Sequence, residues 1–342
     1  MSLFKKDAAS FRQSIERMGY PRTTVDAVWP EWWSAEAEGS RAAQTELRFT
    51  VARRLGLRPT TLFEDNAPEF VWQHEAKFKG LSTYNERERA AITSFGQAFT
   101  QTLLPSVPTP TQGRSITGLT VQDVRASLMG ARDAIVDLGG LCALCWALGV
   151  PVVHLRVFPL PAKRMAAMAV RVGDRYAILV GRDASFPAPT AFHVAHEIAH
   201  IALGHLTGTT AIVDTKILAR EHEDAEEADA DRFALTLLTG EPDPKIEMNQ
   251  RARSGAQLAR AVVAATRGPG GRRIEAGTLC LCYGYQTGDW RTAHAALRHV
   301  YLHEHAVWKA LNTYAAREID WEALPTGGQA YVRAVLGAAE LA

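Results

Sequence analysis

The feature that most constrains the fold is a pair of helical segments carrying histidine and acidic residues at fixed spacing. Residues 196–200 read HEIAH, and the apolar residues on both sides predict a buried helix. Residues four apart on a helix lie on one face, so His196 and His200 can offer two imidazole nitrogens to one metal ion. Glu197 lies at the neighbouring edge, within reach of a water at the metal without being a ligand.

Zinc catalysis needs a third protein ligand and an open fourth position. A third histidine six residues after His200, following a glycine turn at the third, is one solution. Here Gly204 and His205 come four and five residues later, so that spacing is missed. The other solution is a glutamate on a following helix. The segment EEADADRFALTLL supplies Glu227, and Asp231 shares its helix face one turn later.

These positions predict one zinc ion per chain. Its ligands are His196, His200 and Glu227, and Asp231 accepts a hydrogen bond from the outer nitrogen of a ligand histidine, the partner that such ligands usually have. The predicted reaction is peptide hydrolysis. Glu197 acts as general base, taking a proton from water and passing it to the leaving amine.

Other polar residues near the motif have less defined roles. Three are candidates for contacting the substrate or the oxyanion: His193, Tyr176 and His154. For His193 a purely structural role is the simpler interpretation. His205 and His222 are predicted to lie at helix ends and not to be ligands.

The two motifs together resemble a known family. AFHVAHEIAHIALGH followed by EEADADRFALTLL looks like the ImmA/IrrE family of bacterial metallopeptidases, over about residues 120–240. The family's two histidine ligands, catalytic glutamate and glutamate ligand match His196, His200, Glu197 and Glu227. This resemblance implies a peptidase that cleaves a repressor or other regulator in a stress or mobile-element response. The implied partner is therefore a protein substrate of repressor type.

Segments rich in proline and glycine suggest three parts. LPSVPTPTQGRSITG at 104–118 and GEPDPK at 240–245 interrupt the helical patterns. We predict a helical N-terminal region over 1–105, a zincin-like metallopeptidase domain over 119–240 and a helical C-terminal domain over 241–342. In the last part, one helix is expected from Asp289 to Tyr314.

The central part predicts a small sheet. Its β-type runs are VVHLRVF, MAAMAVRV and RYAILVG, and Gly173-Asp174 joins the second and third into a hairpin. The predicted fold class is α+β, with a small mixed sheet packed on the metal-bearing helices and helical regions on either side. We expect Tyr176 to Val180 to form an edge on which an extended substrate pairs.

Two alternative functions remain open. ARRLGLRPTTLFE resembles the middle of a helix-turn-helix, which would suit a DNA-binding regulator that uses the peptidase fold as a sensor. A plain helical bundle is the simpler interpretation, since Pro59, Glu64 and Asp65 suit a recognition helix poorly. The net charge of +1 provides no overall attraction to nucleic acid. The other alternative is a non-catalytic interaction protein.

The sequence predicts a cytoplasmic protein without a membrane partner. Neither a secretory signal nor an apolar run of the roughly 18 residues needed to span a bilayer is recognisable. The cysteines form two close pairs, Cys142/Cys145 and Cys280/Cys282, too few for a disulfide scaffold. Cys142 and Cys145 could form a redox pair or hold the metal in a latent state, but buried structural thiols are the favoured interpretation.

Overall fold

Helices dominate the structure, and short strands form one sheet among them. The computed structural model describes residues 7–63, 67–72, 76–78, 85–110, 115–130, 135–163, 165–214, 225–246, 251–267 and 273–341. The helices in these residues are α1 (Ala8–Arg17), α2 (Arg22–Val28), α3 (Arg41–Leu55), α4 (Glu86–Leu103), α5 (Val121–Leu128), α6 (Leu138–Ala147), α7 (Pro187–Ala202), α8 (Ala225–Thr239), α9 (Gly255–Arg267), α10 (Ala276–Thr287), α11 (Trp290–Val300), α12 (Val307–Glu318) and α13 (Gly328–Leu336). The strands are β1 (Ala76–Phe78), β2 (Val152–His154), β3 (Ala167–Val172), β4 (Arg175–Val180) and β5 (Ala211–Asp214).

The sheet is mixed, as the sequence predicts. In the described part of the chain its order is β1-β5-β3-β4-β2. The pairs β3–β4 and β3–β5 are antiparallel, whereas β1–β5 and β2–β4 are parallel. The hairpin expected at Gly173-Asp174 joins β3 to β4, and Gly173 has the positive φ of 59° that glycine tolerates. The α+β fold class is confirmed.

The expectation that β4 forms an edge of the sheet is wrong. Val152 to His154 of β2 pair in parallel with Ile178 to Val180, while β3 pairs along the whole other side of β4. Among the described strands, β1 and β2 form the two edges. The strand VVH follows Pro151 directly and is too short for its position in the sheet to be read from its residues.

Both faces of the sheet are covered, because alternate side chains of a strand point to opposite sides. Met168, Val170 and Leu179 join a buried cluster that contains Phe95 and Phe99 of α4. On the other face, a second cluster combines residues of the sheet with residues of α6, α7 and α8: Ala169, Ile178, Val180, Leu141, Ala195, Ile198 and Ala234. Helix α7, which carries the HEIAH motif, therefore lies on the sheet.

The C-terminal helices form a third apolar cluster beside α7. It contains Leu258, Leu279 and Leu297 from α9, α10 and α11, together with Phe186 at the start of α7. The single helix expected from Asp289 to Tyr314 is interrupted at residues 301–306. There the backbone N–H groups of His305 and Val307 donate to carbonyl groups of Ser185 and Ala184 instead of continuing a helix.

The three predicted parts share apolar clusters. The first cluster includes Val51 from the N-terminal region, Leu179 from the sheet and Tyr331 from the C-terminal region. The boundaries at 105, 119 and 240 stay a prediction. No helix in the described ranges is long and apolar enough to cross a membrane.

Candidate metal centre

Helix α7 positions the HEIAH motif in the interior. Pro187 and Pro189 lie in its first turn, where a missing N–H costs no helical hydrogen bond. Every residue from Thr190 to Ala202 is buried. Its C-terminus is closed by Gly204 at a φ of 76°. The motif is therefore held on a buried helix with a defined start and end, as a rigid site requires.

Helix α8 supplies the acidic residues from the opposite side. Glu227 and Asp231 are four residues apart and both are buried. Ala230 and Ala234 have no exposed surface, and the small side chains allow α8 to pack closely against α7. The segment predicted to be helical from about Ala225 to Leu238 is helical from Ala225 to Thr239, so that prediction is confirmed.

Three ligand-type atoms converge between the two helices. His200 Nε2 lies 3.0 Å from His196 Nε2 and 3.1 Å from Glu227 Oε1, while His196 Nε2 lies 3.5 Å from Glu227 Oε2. Ligand atoms bound to zinc at about 2.0–2.2 Å in a tetrahedron are about 3.3–3.6 Å apart. The donor set and its spacing therefore fit a metal ion. Within the described residues, this is the group of His, Cys, Asp or Glu side chains that could hold one.

The outer nitrogens of the two histidines also have partners. His196 Nδ1 lies 2.9 Å from Asp231 Oδ1, the contact that the sequence predicts for a ligand histidine. His200 Nδ1 lies 2.8 Å from Nδ1 of His205. This second contact was not predicted from the sequence. Both contacts fix the ring orientation that directs the Nε2 atoms towards Glu227.

The turn after α7 explains how His205 reaches back to His200. The N–H of His205 donates to the carbonyl of His200, and the N–H of Gly204 donates to the carbonyl of Ile201. With Gly204 in the left-handed conformation, these two bonds define a Schellman motif. The chain folds back over the last helical turn. The ring of His205 therefore lies next to the ring of His200, with 5.1 Å between the two ring centroids.

The electrostatics of the group favour a carboxylate beside neutral imidazoles. Burial would raise the pKa of Glu227, but the hydrogen bonds to His196 and His200 outweigh it and lower this pKa. Burial is the main cause that lowers the pKa of His200 to about 4, although its contact with Glu227 opposes the shift. Unprotonated imidazole nitrogens and an ionised carboxylate are the forms that bind metal ions.

Three further residues predicted for the site lie on α7 and on β2. Glu197 is fully buried on α7, next to His196. His193 lies one turn before His196 and lines a cavity. His154 instead contacts Asp183, with 3.2 Å between Nε2 and Oδ1.

Tyr176 and the cysteines of α6 have other surroundings, and they pack in the apolar cluster that contains residues of α7 and α8. The Tyr176 hydroxyl accepts a hydrogen bond from Thr117, on the segment before α5. Cys142 and Cys145 are buried free thiols on α6. Burial raises the pKa of Cys142 to about 12 and raises that of Cys145 as well. Such thiols are protonated and unreactive at neutral pH.

The sequence around the site is similar to a peptidase family. Residues 176–273 match the family model described as Peptidase U49, a metallopeptidase family related to ImmA/IrrE. The match covers less than a third of the chain but includes the whole buried group and both of its helices. No curated protein and no solved structure matches the chain. The buried group of two histidines and one glutamate thus lies in a region similar to a family of metallopeptidases, which supports a peptidase activity.

Proposed function

We propose that this chain is a zinc-dependent endopeptidase that cleaves a regulatory protein. The observation that carries the proposal is the convergence of His196 Nε2, His200 Nε2 and the Glu227 carboxylate at 3.0–3.5 Å in a buried site. These three residues are the metal ligands of the proposal. The match to a peptidase family across both helices supports a hydrolytic role.

The chain's own residues divide the work of the reaction. Zinc held by three protein ligands supplies a nucleophile at neutral pH and polarises a carbonyl. Glu197 takes the proton of the attacking water as the water oxygen bonds to the carbonyl carbon. It then passes this proton to the amine nitrogen as the C–N bond breaks. Asp231 holds the ring of His196 in the orientation that ligation needs.

The proposed substrate is a repressor or a similar regulator, because that is the substrate class implied by the resemblance to ImmA/IrrE. Selection of this protein is assigned to the regions that flank the motif, 1–105 and 241–342. We place the reaction in the cytoplasm, where such regulators act. The four cysteines are free thiols, as in a reducing compartment.

Replacement of the general base tests the proposal. Wild-type and Glu197→Gln protein, each loaded with one zinc ion per chain, are incubated with β-casein and with repressors encoded beside the gene. Gln keeps the shape of the side chain but cannot accept the proton. We expect the rate of cleavage to fall by about 10²- to 10⁴-fold while the zinc content is unchanged. Mass spectrometry of the products gives the rates and the cleavage positions.

Glu318→Gln is a matched control, since Glu318 is an exposed glutamate on α12. It should cleave at the wild-type rate. A Glu197→Gln protein that holds zinc and cleaves like the wild type would show that the reaction is not the one proposed. Wild-type protein that holds zinc but cleaves none of these proteins would count against the endopeptidase assignment itself.

A further inference from the structure

A cleft of about 340 Å³ opens beside the N-terminal half of α7. One wall consists of Pro189, Thr190 and His193 of α7, together with the loop that leads into this helix. The opposite wall is α11 of the C-terminal region, with His294 and Arg298 facing the cleft. The volume lies in the range of small ligand pockets and accommodates a large side chain with some backbone.

The cleft adjoins the helix face that carries the candidate ligands, because His193, which lines the cleft, lies on that face. His193 precedes His196 by three residues and His200 by seven, and this spacing places all three on one face of α7. Residues three apart on a helix have Cβ atoms about 5–6 Å apart. A polypeptide with one peptide bond at the metal group therefore has a neighbouring side chain within reach of the cleft.

Three apolar side chains contribute to the inner surface of the cleft, which also has polar lining residues. Val180, Phe186 and Leu297 contribute to it, and all three side chains are buried. The Phe186 ring stacks on Tyr301 at 5.4 Å with an angle of 12° between the planes. The Tyr301 hydroxyl in turn donates a hydrogen bond to Glu275, 2.5 Å away. The stacking and this hydrogen bond thus hold the Phe186 ring of the apolar surface in place.

The two acidic side chains of the cleft lining each lie near an arginine. Asp183 is paired with Arg156 at 2.9 Å, and Glu304 lies 3.9 Å from Arg298. Neither acid offers an uncompensated charge to a basic side chain of a substrate. With both acids paired, the part of the cleft that can favour an apolar side chain is its apolar inner surface.

Two separate parts of the chain are joined at this wall. The N–H groups of His305 and Val307 donate to the carbonyls of Ser185 and Ala184, at 2.9 Å and 3.3 Å. These bonds connect the segment after α11 to the loop before α7. The C-terminal region consequently completes a pocket whose other wall is the metal-bearing helix.

We propose that this cleft is a substrate subsite that receives a large apolar side chain, such as Phe, Leu or Met, near the scissile bond. The proposal rests on the peptidase function argued above and assigns the choice of this substrate residue to α11. A pocket of this kind typically favours the fitting apolar side chain by about 10- to 200-fold over one lacking a methylene or more.

Peptide binding to the inactive protein provides the test. Fluorescein-labelled hexapeptide pools, each with one fixed residue (Phe, Leu, Ala, Asp or Lys), are titrated onto zinc-loaded Glu197→Gln protein and followed by fluorescence anisotropy. We expect the Phe and Leu pools to bind at least about 10-fold more tightly than the Ala pool. Adding His294→Trp should fill the cleft and abolish this preference.

His299→Trp is the matched control, because His299 is an exposed histidine on the same helix that does not line the cleft. It should keep the preference, and both variants should keep wild-type zinc content and melting temperature. Equal binding of all pools, absence of binding by any pool, or an unchanged preference in folded His294→Trp protein would overturn the subsite. A different outcome would separate the two proposals: the Phe and Leu pools bind preferentially, His294→Trp removes this preference, and the wild type cleaves no substrate. That result would support the subsite and refute the peptidase function.

Discussion

Truncation of His205 should weaken metal binding even though His205 is not a candidate ligand. His200 directs Nε2 at the metal group, and a nitrogen that binds a metal carries no proton. The proton of the neutral ring must then be on Nδ1, which lies 2.8 Å from His205 Nδ1. His205 therefore accepts this hydrogen bond, and His205→Ala removes the acceptor that orients His200.

The expected loss follows from the surroundings of the two rings. Removing the partner of a ligand histidine typically lowers metal affinity by about 10- to 100-fold, or about 1.4–2.7 kcal/mol. His205 is half-buried at the end of α7, so water can enter and replace its nitrogen. We expect about a 10-fold loss. Asp231 is buried and carries charge, so Asp231→Ala should approach 100-fold.

Competition with a chromophoric zinc chelator measures these affinities. The informative rescue is His205→Asn, since Asn Oδ1 is as many bonds from Cβ as His Nδ1 and can accept the same hydrogen bond. Its affinity should return to near the wild-type value, and the spectrum of the cobalt-substituted protein should return with it. His299→Ala is the surface control. Wild-type affinity in His205→Ala, or equal loss in the Ala and Asn variants, would refute the reasoning.

Three further expectations concern the ligands, acid and the extent of the fold. His196→Ala and Glu227→Ala should each abolish the one zinc per chain measured by plasma mass spectrometry. Without metal, His200 has a pKa lowered to about 4, whereas in the unfolded chain it titrates near 6.5. The unfolded state takes up the proton first, so the free energy of unfolding should fall from about pH 6.5 towards pH 4, and denaturant titrations of metal-free His200→Gln should show a smaller fall. A fragment of residues 119–240 should give the circular dichroism of an unfolded chain even with zinc, because it lacks α4, which covers one face of the sheet, α12, which packs on β2, and β1. A folded fragment would contradict this.

The parts predicted correctly from the sequence are those specified by nearby residues. The ligand spacing of HEIAH follows from the helical repeat alone, and the Gly173-Asp174 turn specifies the β3–β4 hairpin. The Glu227 helix has its own pattern, with Ala230 and Ala234 on the packed face. In each case, the interacting atoms belong to one element or to two adjacent ones.

The elements that were missed depend on distant contacts. β1 and β5 have three and four residues; β1 pairs with β5, and β5 also pairs with β3, so each is recognisable as a strand only through its neighbours in the sheet. The break between α11 and α12 is set by hydrogen bonds to Ala184 and Ser185, more than a hundred residues earlier in the chain. Residues 301–306 carry no local signal strong enough to predict this break. The sequence therefore predicts one continuous helix there and does not reveal that α11 forms a wall of the cleft.

His205 differs from these cases, because the signal for its role was present in the sequence. If α7 continued as an α-helix, residue 205 would lie about 140° around the helix axis from His200, on a different face. Glycine four residues after His200 changes this, since a left-handed residue at that position ends the helix in a Schellman turn and returns the next residue to the carbonyl of His200. Gly204 and His205 do not fit the spacing of a third histidine ligand. The same two residues instead place the imidazole of His205 behind His200, the second ligand. A chain that carries the same HExxH motif with glycine and histidine at four and five residues beyond its second histidine should show the same contact. One that replaces the glycine with a β-branched residue, which resists positive φ, should lose it.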